Sequence, residues 1–443
     1  MSGAGDEQVS SPETPSIRSG VVTAMPVALA GLVANGANII VTVLLARMLS
    51  NQAYGAFAQL VGLFLVVSMP GSAVIVGVVR RTASWRTAGS HIALARWASR
   101  MHSRMAWLFG GYALLVIAVC VPVSNFLAKP SPVAVLSMLL GAGLWVVLCI
   151  DRGFLQGTRS YRPLASNLLV EGGVRTVAVL GLALVFKLPG AAVGVLLAEI
   201  ATAIHARITA ERALHLATDD GLSLTPPSVR RDLVVDLIAA LMALALIAVL
   251  QNVDVILLGQ LNPDAAGSYA AVSVACKALV FAAFVLGGYL LPEAAISHHE
   301  GVHALRQLAA TLTMLAVPAL LLVSVAVLIP DQVLRLVFSS RYLGAEAAFA
   351  PLALAMTALS VTVVVTMYLL AHGQRWVVAL LAIGGIAAAI SIDAARGEPL
   401  ATAQADLAVQ VTLAVAVSIG LFVFHRRNHG HEDPSPLAPY GAE

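Results

Sequence analysis

The chain has 443 residues, of which 59% are hydrophobic and 11% are charged, and its mean hydropathy is +0.89. A soluble domain carries about 25% charged residues, so this composition excludes a water-soluble globular protein. The net charge of +3 excludes nothing by itself, but the positions of Lys and Arg along the chain are informative.

Apolar runs with few charges predict about twelve membrane-spanning helices, because a helix that crosses a bilayer needs about 20 apolar residues. We therefore predict an all-α integral membrane protein with about 12 transmembrane helices. Glu171, Arg175 and Glu199 interrupt the fifth and sixth spans. The predicted spans are 21–46, 54–79, 105–128, 131–151, 163–186, 190–208, 233–258, 268–291, 307–329, 348–371, 376–393 and 404–425.

Most of the 26 Lys and Arg residues fall in alternate loops, which predicts that those loops are cytoplasmic. The segments predicted to be outside hold only Arg47, Lys129, Lys187, Arg335, Arg341 and Arg396. Both termini are then cytoplasmic. Scarce Lys with abundant Ala and Val favours a bacterial source, so we expect a multi-pass protein of the bacterial cytoplasmic (inner) membrane.

The loops divide the chain into two lobes. A Pro- and Gly-containing stretch at 209–231 reads as a cytoplasmic linker between them. The predicted division is a disordered tail 1–20, an N-lobe 21–208, the linker 209–231, a C-lobe 232–425 and a second disordered tail 426–443. At the end of the basic loop 80–104, Trp97 shares a helical face with Met101 and Met105. This pattern indicates either a helix lying on anionic lipid headgroups or a solvated basic loop. In the outer loop 330–347, the apolar residues around Leu336 predict a short interfacial helix.

A sequence pattern occurs twice. LLARMLSNQAYGAFA, at 44–58, aligns with ILLGQLNPDAAGSYA, at 256–270, when Gly55 is placed over Gly267. Each copy begins in an odd-numbered span, so the two have the same orientation. The halves are therefore predicted to be related by an axis along the membrane normal.

Four stretches resemble the polysaccharide-flippase family of the multidrug/oligosaccharidyl-lipid/polysaccharide exporter (MOP) superfamily. They are LLARMLSNQAYGAFA, the segment 153–180, the segment 251–295, and VLRLVFSSRY followed by MYLLAHGQR. The resemblance implies two six-helix lobes, related by pseudo-two-fold symmetry, around a central cavity. It also implies alternating access that carries a lipid-linked oligosaccharide from the inner to the outer leaflet. The peptidoglycan-precursor branch is expected to have a charged first helix, whereas this first span carries Asn35 and Asn38.

Ionisable residues inside spans are the main candidate site residues, because each costs about 2.5–3.5 kcal/mol to insert. Glu171 and Arg175 lie on one helix face at i and i+4, as a self-neutralising structural pair or as a cation held for a phosphate. Asp254 and Lys277 differ in predicted depth by about 5 Å, and are expected to pair across the hairpin as a static pair or a gate.

Other candidates are neutral amides and isolated charges. Asn35 and Asn38 are candidates to bind sugar hydroxyls, or to bond neighbouring helices. Arg47 is either a residue that snorkels to headgroups or a cation at the outer mouth. Glu199 and Glu293 are candidate carboxylates for coupling to H⁺ or Na⁺. No catalytic residue, metal site or other cofactor is expected.

The leading hypothesis is a flippase for a polyprenyl-diphosphate-linked glycan, which makes the protein a transporter and not an enzyme. The alternative is a cation-coupled multidrug exporter of the same superfamily, disfavoured because Arg175 and Lys277 suit an anionic cargo. A membrane glycan polymerase or ligase is a third reading, which the short outer loops disfavour.

Expected partners are the glycan lipid, membrane lipids and glycan assembly enzymes, with no nucleic acid. The chain has no phosphate-binding loop ending in Gly-Lys-Ser/Thr, so it is not expected to hydrolyse ATP.

Overall fold

The computed structural model describes residues 17–87, 91–127, 130–216, 231–296 and 301–429, which are helical with short turns and contain no strand. Predictions for the rest of the tails, for Lys129 and for 217–230 lie outside the described residues. The helices are α1 Ile17–Met48, α2 Asn51–Ser68, α3 Gly71–Thr87, α4 His91–Phe126, α5 Pro132–Gly157, α6 Tyr161–Leu216, α7 Arg231–Leu261, α8 Pro263–Ile296, α9 Gly301–Leu328, α10 Pro330–Val337, a 3₁₀ helix Ser340–Ala348, α11 Phe349–Ala371, α12 Trp376–Ala394 and α13 Pro399–His429.

Within the described residues, eleven helical segments are long and apolar enough to cross a membrane. One of them, α6, is a hairpin whose arms 161–186 and 188–216 join at Lys187, where φ is 54° and ψ is −131°. The arms are closely packed, since a Cβ on Gly194 would lie 2.6 Å from Val179 Cα. These arms are the predicted fifth and sixth spans, so the eleven segments make the twelve predicted crossings.

The predicted bounds differ from the helices at several points. Helix α6 continues to Leu216, into the predicted linker, and α1 begins at Ile17, inside the predicted tail. The second span is divided at Pro70 into α2 and α3. The short helix predicted in the loop 330–347 is confirmed as α10, with Leu336 78% exposed.

The basic segment 80–104 does not lie on headgroups through its apolar face. Its described residues, 80–87 and 91–104, belong to α3 and α4. Trp97 packs edge-on between Trp85 and Phe154 at ring-centroid distances of 5.5 and 5.4 Å. Met101 and Met105 pack against the same cluster. The interfacial-helix interpretation is wrong because α3 and α5 cover that face.

Helices α1–α6 form the N-lobe and α7–α13 form the C-lobe, and the lobes meet where α2 packs against α7 and α8. The two repeat glycines face each other at this junction. A Cβ on Gly55 would lie 2.7 Å from the Gly267 nitrogen, and a Cβ on Gly267 would lie 2.2 Å from the Asn51 carbonyl oxygen. Equivalent positions in direct contact are what a two-fold relation produces, so the pseudo-symmetry axis passes between these glycines.

The two faces of the helical bundle are distinguished by the chain ends. We name the face at which the described chain begins and ends the terminal face, and the opposite face, where α1 turns into α2 and α7 into α8, the distal face. Arg47, Lys187, Arg335, Arg341 and Arg396 all lie at the distal face, as the alternation of spans requires. That this face is the outer one stays a prediction.

Candidate functional site

The predicted contact between Glu171 and Arg175 is present in the N-lobe, at 2.7 Å from Nη2 to Oε1. It is part of a larger network. Arg175 also forms an ion pair with Glu199, and its Nη1 donates to Asn38 Oδ1 at 3.3 Å. Arg152 Nη2 lies 2.5 Å from Glu171 Oε2. We name Arg152, Glu171, Arg175 and Glu199 the N-lobe network.

Arg152 is a network member that the sequence prediction placed in a cytoplasmic loop. Helix α5 continues to Gly157 and buries Arg152, which is 6% exposed. Its Nε donates to Asn167 Oδ1 at 2.8 Å, and Asn167 in turn donates to the Thr202 carbonyl at 2.9 Å on the other arm of α6. The sequence does hold a signal that Arg152 is buried. Apolar residues flank it on both sides, and Ile150 and Phe154 both belong to the core of the helix bundle.

The N-lobe network has two cations and two carboxylates, so its formal charge is zero. A phosphate that approaches Arg175 has to compete with Glu171 and Glu199 for the same guanidinium. Such buried pairs are costly to form but strongly destabilising to break on one side. The arrangement weakens the preference for an anionic cargo that rested on Arg175, and its role in binding stays a prediction.

Asn35, Asn38 and Thr42 form a polar stripe on α1, because residues at i, i+3 and i+7 share one helix face. We name it the α1 stripe. Asn35 is exposed and Asn38 and Thr42 are half-buried. The same face ends at Ala46, which is buried, and the Ala46 carbonyl accepts a hydrogen bond from the Tyr342 hydroxyl of the C-lobe. Exposure of the stripe therefore falls towards the distal face.

The predicted pair across the seventh and eighth spans is confirmed, with Lys277 Nζ 3.3 Å from Asp254 Oδ1. Asp254 is fully buried, and its Oδ2 accepts from the hydroxyls of Tyr269 at 3.2 Å and Ser273 at 3.3 Å. Lys277 also donates to Asn252 at 3.4 Å. Each charge therefore has several polar partners. Whether the pair acts as a gate stays a prediction.

Asp406 on α13 is a buried carboxylate that the sequence prediction missed. It is 0% exposed, and its Oδ1 accepts from Gln410 at 3.0 Å. Gln410 also donates to the Leu250 carbonyl of α7 at 3.1 Å, which places this pair beside the helix that carries Asp254. Within the described structure, Asp406 Oδ2 has no hydrogen-bond partner. The sequence could have indicated this site, because Asp406 and Gln410 are spaced i, i+4 inside a predicted span.

The lobes are closed against each other at the distal face. Arg47 donates to the carbonyls of Leu336 at 2.8 Å and Val337 at 3.2 Å, which joins α1 to α10. Below it, the Gln59 amide donates to the Ile256 carbonyl at 2.7 Å. The predicted outer arginine Arg47 is thus an inter-lobe contact. Glu293 lies in α8, but its side chain is outside the described residues.

Comparison with known proteins gives a fold. No family model matches the sequence and no curated protein matches it. The structure is similar to a multidrug resistance MATE family transporter of the MOP superfamily in its inward-facing conformation, with a TM-score of 0.69 and 12% identity over 88% of this chain and 95% of that one. It is also similar to a MOP superfamily transporter from Pyrococcus furiosus with a binding pocket of reverse polarity (TM-score 0.63, 14% identity, 92% and 95%) and to the lipid II flippase MurJ in an inward closed conformation (0.60, 11%, 92% and 93%). This chain therefore has the fold of the MOP superfamily transporters.

Proposed function

We propose that the protein is an alternating-access transporter that moves a lipid-linked glycan across the membrane. The observation that carries the proposal is the α1 stripe, a row of uncharged polar groups that is exposed at Asn35 and covered by the C-lobe at Ala46. Amide and hydroxyl groups suit sugar hydroxyls, and the apolar flank beside them, with Leu32 72% exposed, suits a lipid chain. The short turns at the distal face leave little room for the catalytic loop of a polymerase or ligase.

The closed distal face defines one end state of the proposed cycle. If the terminal face is cytoplasmic, as the distribution of arginines predicts, this state receives cargo from the cytoplasmic leaflet. Rocking of the lobes, which separates α2 from α8 at the distal face, then exposes the α1 stripe to the opposite leaflet. The resemblance of four sequence stretches to polysaccharide flippases supports a polyprenyl-diphosphate carrier.

Coupling to H⁺ or Na⁺ is proposed at the C-lobe cluster of Asp254, Lys277 and Asp406. Its formal charge is −1 when both carboxyls are ionised, because one cation faces two acids. A single positive ion or proton balances the cluster. Of the two acids in this cluster, Asp254 is paired with Lys277, whereas Asp406 has no ion pair among the described residues. Asp406 is therefore the preferred coupling group.

A second candidate function is export of cationic drugs, and it is favoured by the same uncompensated Asp406. A buried acid attracts a cationic cargo as readily as a coupling ion. The structure is similar both to a MATE multidrug transporter, with a TM-score of 0.69, and to MurJ, with a TM-score of 0.60. The structural similarity therefore supports drug export at least as well as lipid transport.

Deletion of the gene followed by analysis of lipid-linked intermediates separates the two functions. The flippase proposal predicts that a glycan lipid accumulates on the cytoplasmic leaflet and that wild-type protein removes it. Asn35→Val should restore export poorly, whereas Val33→Ala, on the other side of α1, should restore it fully at matched expression. Unchanged glycan lipids with raised sensitivity to cationic drugs would reject the flippase in favour of the exporter.

A further inference from the structure

An open cavity of about 450 Å³ lies at the distal face between the two lobes. Its lining residues are Arg47, Arg335, Ser339, Ser340 and Arg341. Arg47 comes from α1 of the N-lobe, and the other four come from the C-lobe segment formed by α10 and the start of the 3₁₀ helix. The cavity is therefore complete only while the distal face is closed. We name it the distal arginine cavity.

Two of the three guanidinium groups that line the cavity, those of Arg47 and Arg341, are held in place by backbone carbonyls. Arg47 donates through Nη2 to the last turn of α10, at Leu336 and Val337, where carbonyl groups lack helical partners. Arg341 donates through Nη1 to the Leu49 carbonyl at 3.1 Å, at the end of α1. Each guanidinium has five N–H groups, so both keep donors for a ligand.

The cavity is positively charged and uncompensated by carboxylates in its lining. Three arginines and two hydroxyls face it, and no acidic residue is among the lining residues. Two acids on the same segment, Asp331 and Glu346, lie close to each other, and Glu346 is also near Arg335. Together with Arg47, the segment keeps a net charge of +1. Arginine is the side chain best suited to phosphate, because its planar fork donates parallel hydrogen bonds.

We propose that the distal arginine cavity binds a phosphate-ester group and that this anion stabilises the closed distal face. The volume is in the range of small-ligand sites, and so holds a phosphate with a small headgroup. A lipid is the favoured source, because Leu336 on the adjacent face of α10 is 78% exposed and Leu328, just before it, is 75% exposed. An acyl chain on that apolar surface puts its headgroup at the arginines.

Anion binding in the distal arginine cavity favours the closed state of the transporter. An anion that binds only when Arg47 and Arg341 are together binds the closed state alone, so it shifts the equilibrium towards that state. Anionic lipid in the distal leaflet then holds the transporter ready to receive cargo from the other side. This inference rests on the lobe motion of the proposed function, but not on the identity of its cargo.

The test measures distal opening by double electron–electron resonance, without cargo. Spin labels are placed at Phe186→Cys and Glu398→Cys, exposed positions near the distal ends of the N-lobe and C-lobe, after the native cysteines are replaced. The protein is studied in phosphatidylcholine nanodiscs with and without phosphatidylglycerol. We expect phosphatidylglycerol to raise the population at the shorter distance.

Two arginine variants separate the cavity from general surface charge. Arg335→Gln removes a lining guanidinium that has no backbone carbonyl partner among the described contacts, and should reduce the lipid-induced shift in the closed-to-open ratio by about fivefold, equivalent to about 1 kcal/mol for an arginine at an anionic surface. Arg396→Gln, an exposed distal arginine outside the cavity, should respond as the parent protein does.

Three results decide the outcome. A shift produced by inorganic phosphate in phosphatidylcholine alone would support the cavity and assign it a soluble ligand. If phosphatidylglycerol does not change the distance distribution of the parent protein, the proposal is overturned. It is also overturned if phosphatidylglycerol changes the distributions of the parent and of Arg335→Gln equally. Because no cargo is present, failure here leaves the glycan-export test unaffected, and the converse also holds.

Discussion

Gly55 is the position where one added methyl group should open the distal face. In Gly55→Ala the new Cβ would lie 2.5 Å from Ala266 Cβ and 2.7 Å from the Gly267 nitrogen, so α2 and α8 must separate. Overpacking of this kind costs about 1–3 kcal/mol. In the proposed cycle this contact is broken when the distal face opens, so the cost lowers the closed-to-open ratio by about 5–150-fold.

The matched control is Gly36→Ala on α1, where no heavy atom lies within 4 Å of the new Cβ. Spin labels at Phe186→Cys and Glu398→Cys report the distance between the lobes at the distal face. Gly55→Ala should move the distribution to longer distances, and Gly36→Ala should leave it unchanged. Identical distributions for Gly55→Ala and the parent would refute the assignment of this glycine pair as the closure contact.

Three further predictions concern the buried charges. Lys277→Met should lower the free energy of unfolding by about 3–5 kcal/mol, because Asp254 loses its cation, whereas Lys277→Met with Asp254→Asn should lose much less; equal melting temperatures in detergent for the two would contradict the pair. Arg152→Gln should destabilise the protein by a similar amount through Glu171, while Arg159→Gln, on the exposed turn after α5, should not, and a Tm comparison checks both. Asp406→Asn should keep the fold, measured by circular dichroism, but remove the dependence of transport on a proton or Na⁺ gradient; gradient dependence equal to that of the parent would exclude Asp406 as the coupling group.

The helical crossings could be predicted from the sequence because a helix that spans a bilayer needs about 20 apolar residues. Apolar length predicted the crossings, and the repeat aligned Gly55 with Gly267, although it did not predict that the two glycines are in contact. The Asp254–Lys277 contact followed from depth alone, since both residues belong to one helical hairpin. Such predictions need only the rise per residue and the order of the spans.

Contacts between distant helices were beyond the same reasoning. Arg152 was assigned to a loop because hydropathy ends the span where a charge begins, whereas Glu171 on another helix allows the charge to be buried. Trp97 was assigned to lipid because its helix is amphipathic, but the pattern does not distinguish a lipid surface from the cluster around Phe154. Asp406 was overlooked because one acid at the start of an apolar run resembles an interfacial residue.

The central claim is that the protein moves a lipid-linked glycan between leaflets, and a vesicle assay tests it directly. Purified protein is reconstituted with a fluorescent polyprenyl-diphosphate sugar, and a membrane-impermeant reductant measures the fraction of label in the outer leaflet. The account predicts that the protein makes the inner-leaflet label accessible, and that Asn35→Val slows this movement while Val33→Ala does not. Accessibility equal to that of protein-free vesicles, in vesicles that do accumulate a cationic dye, would contradict the account.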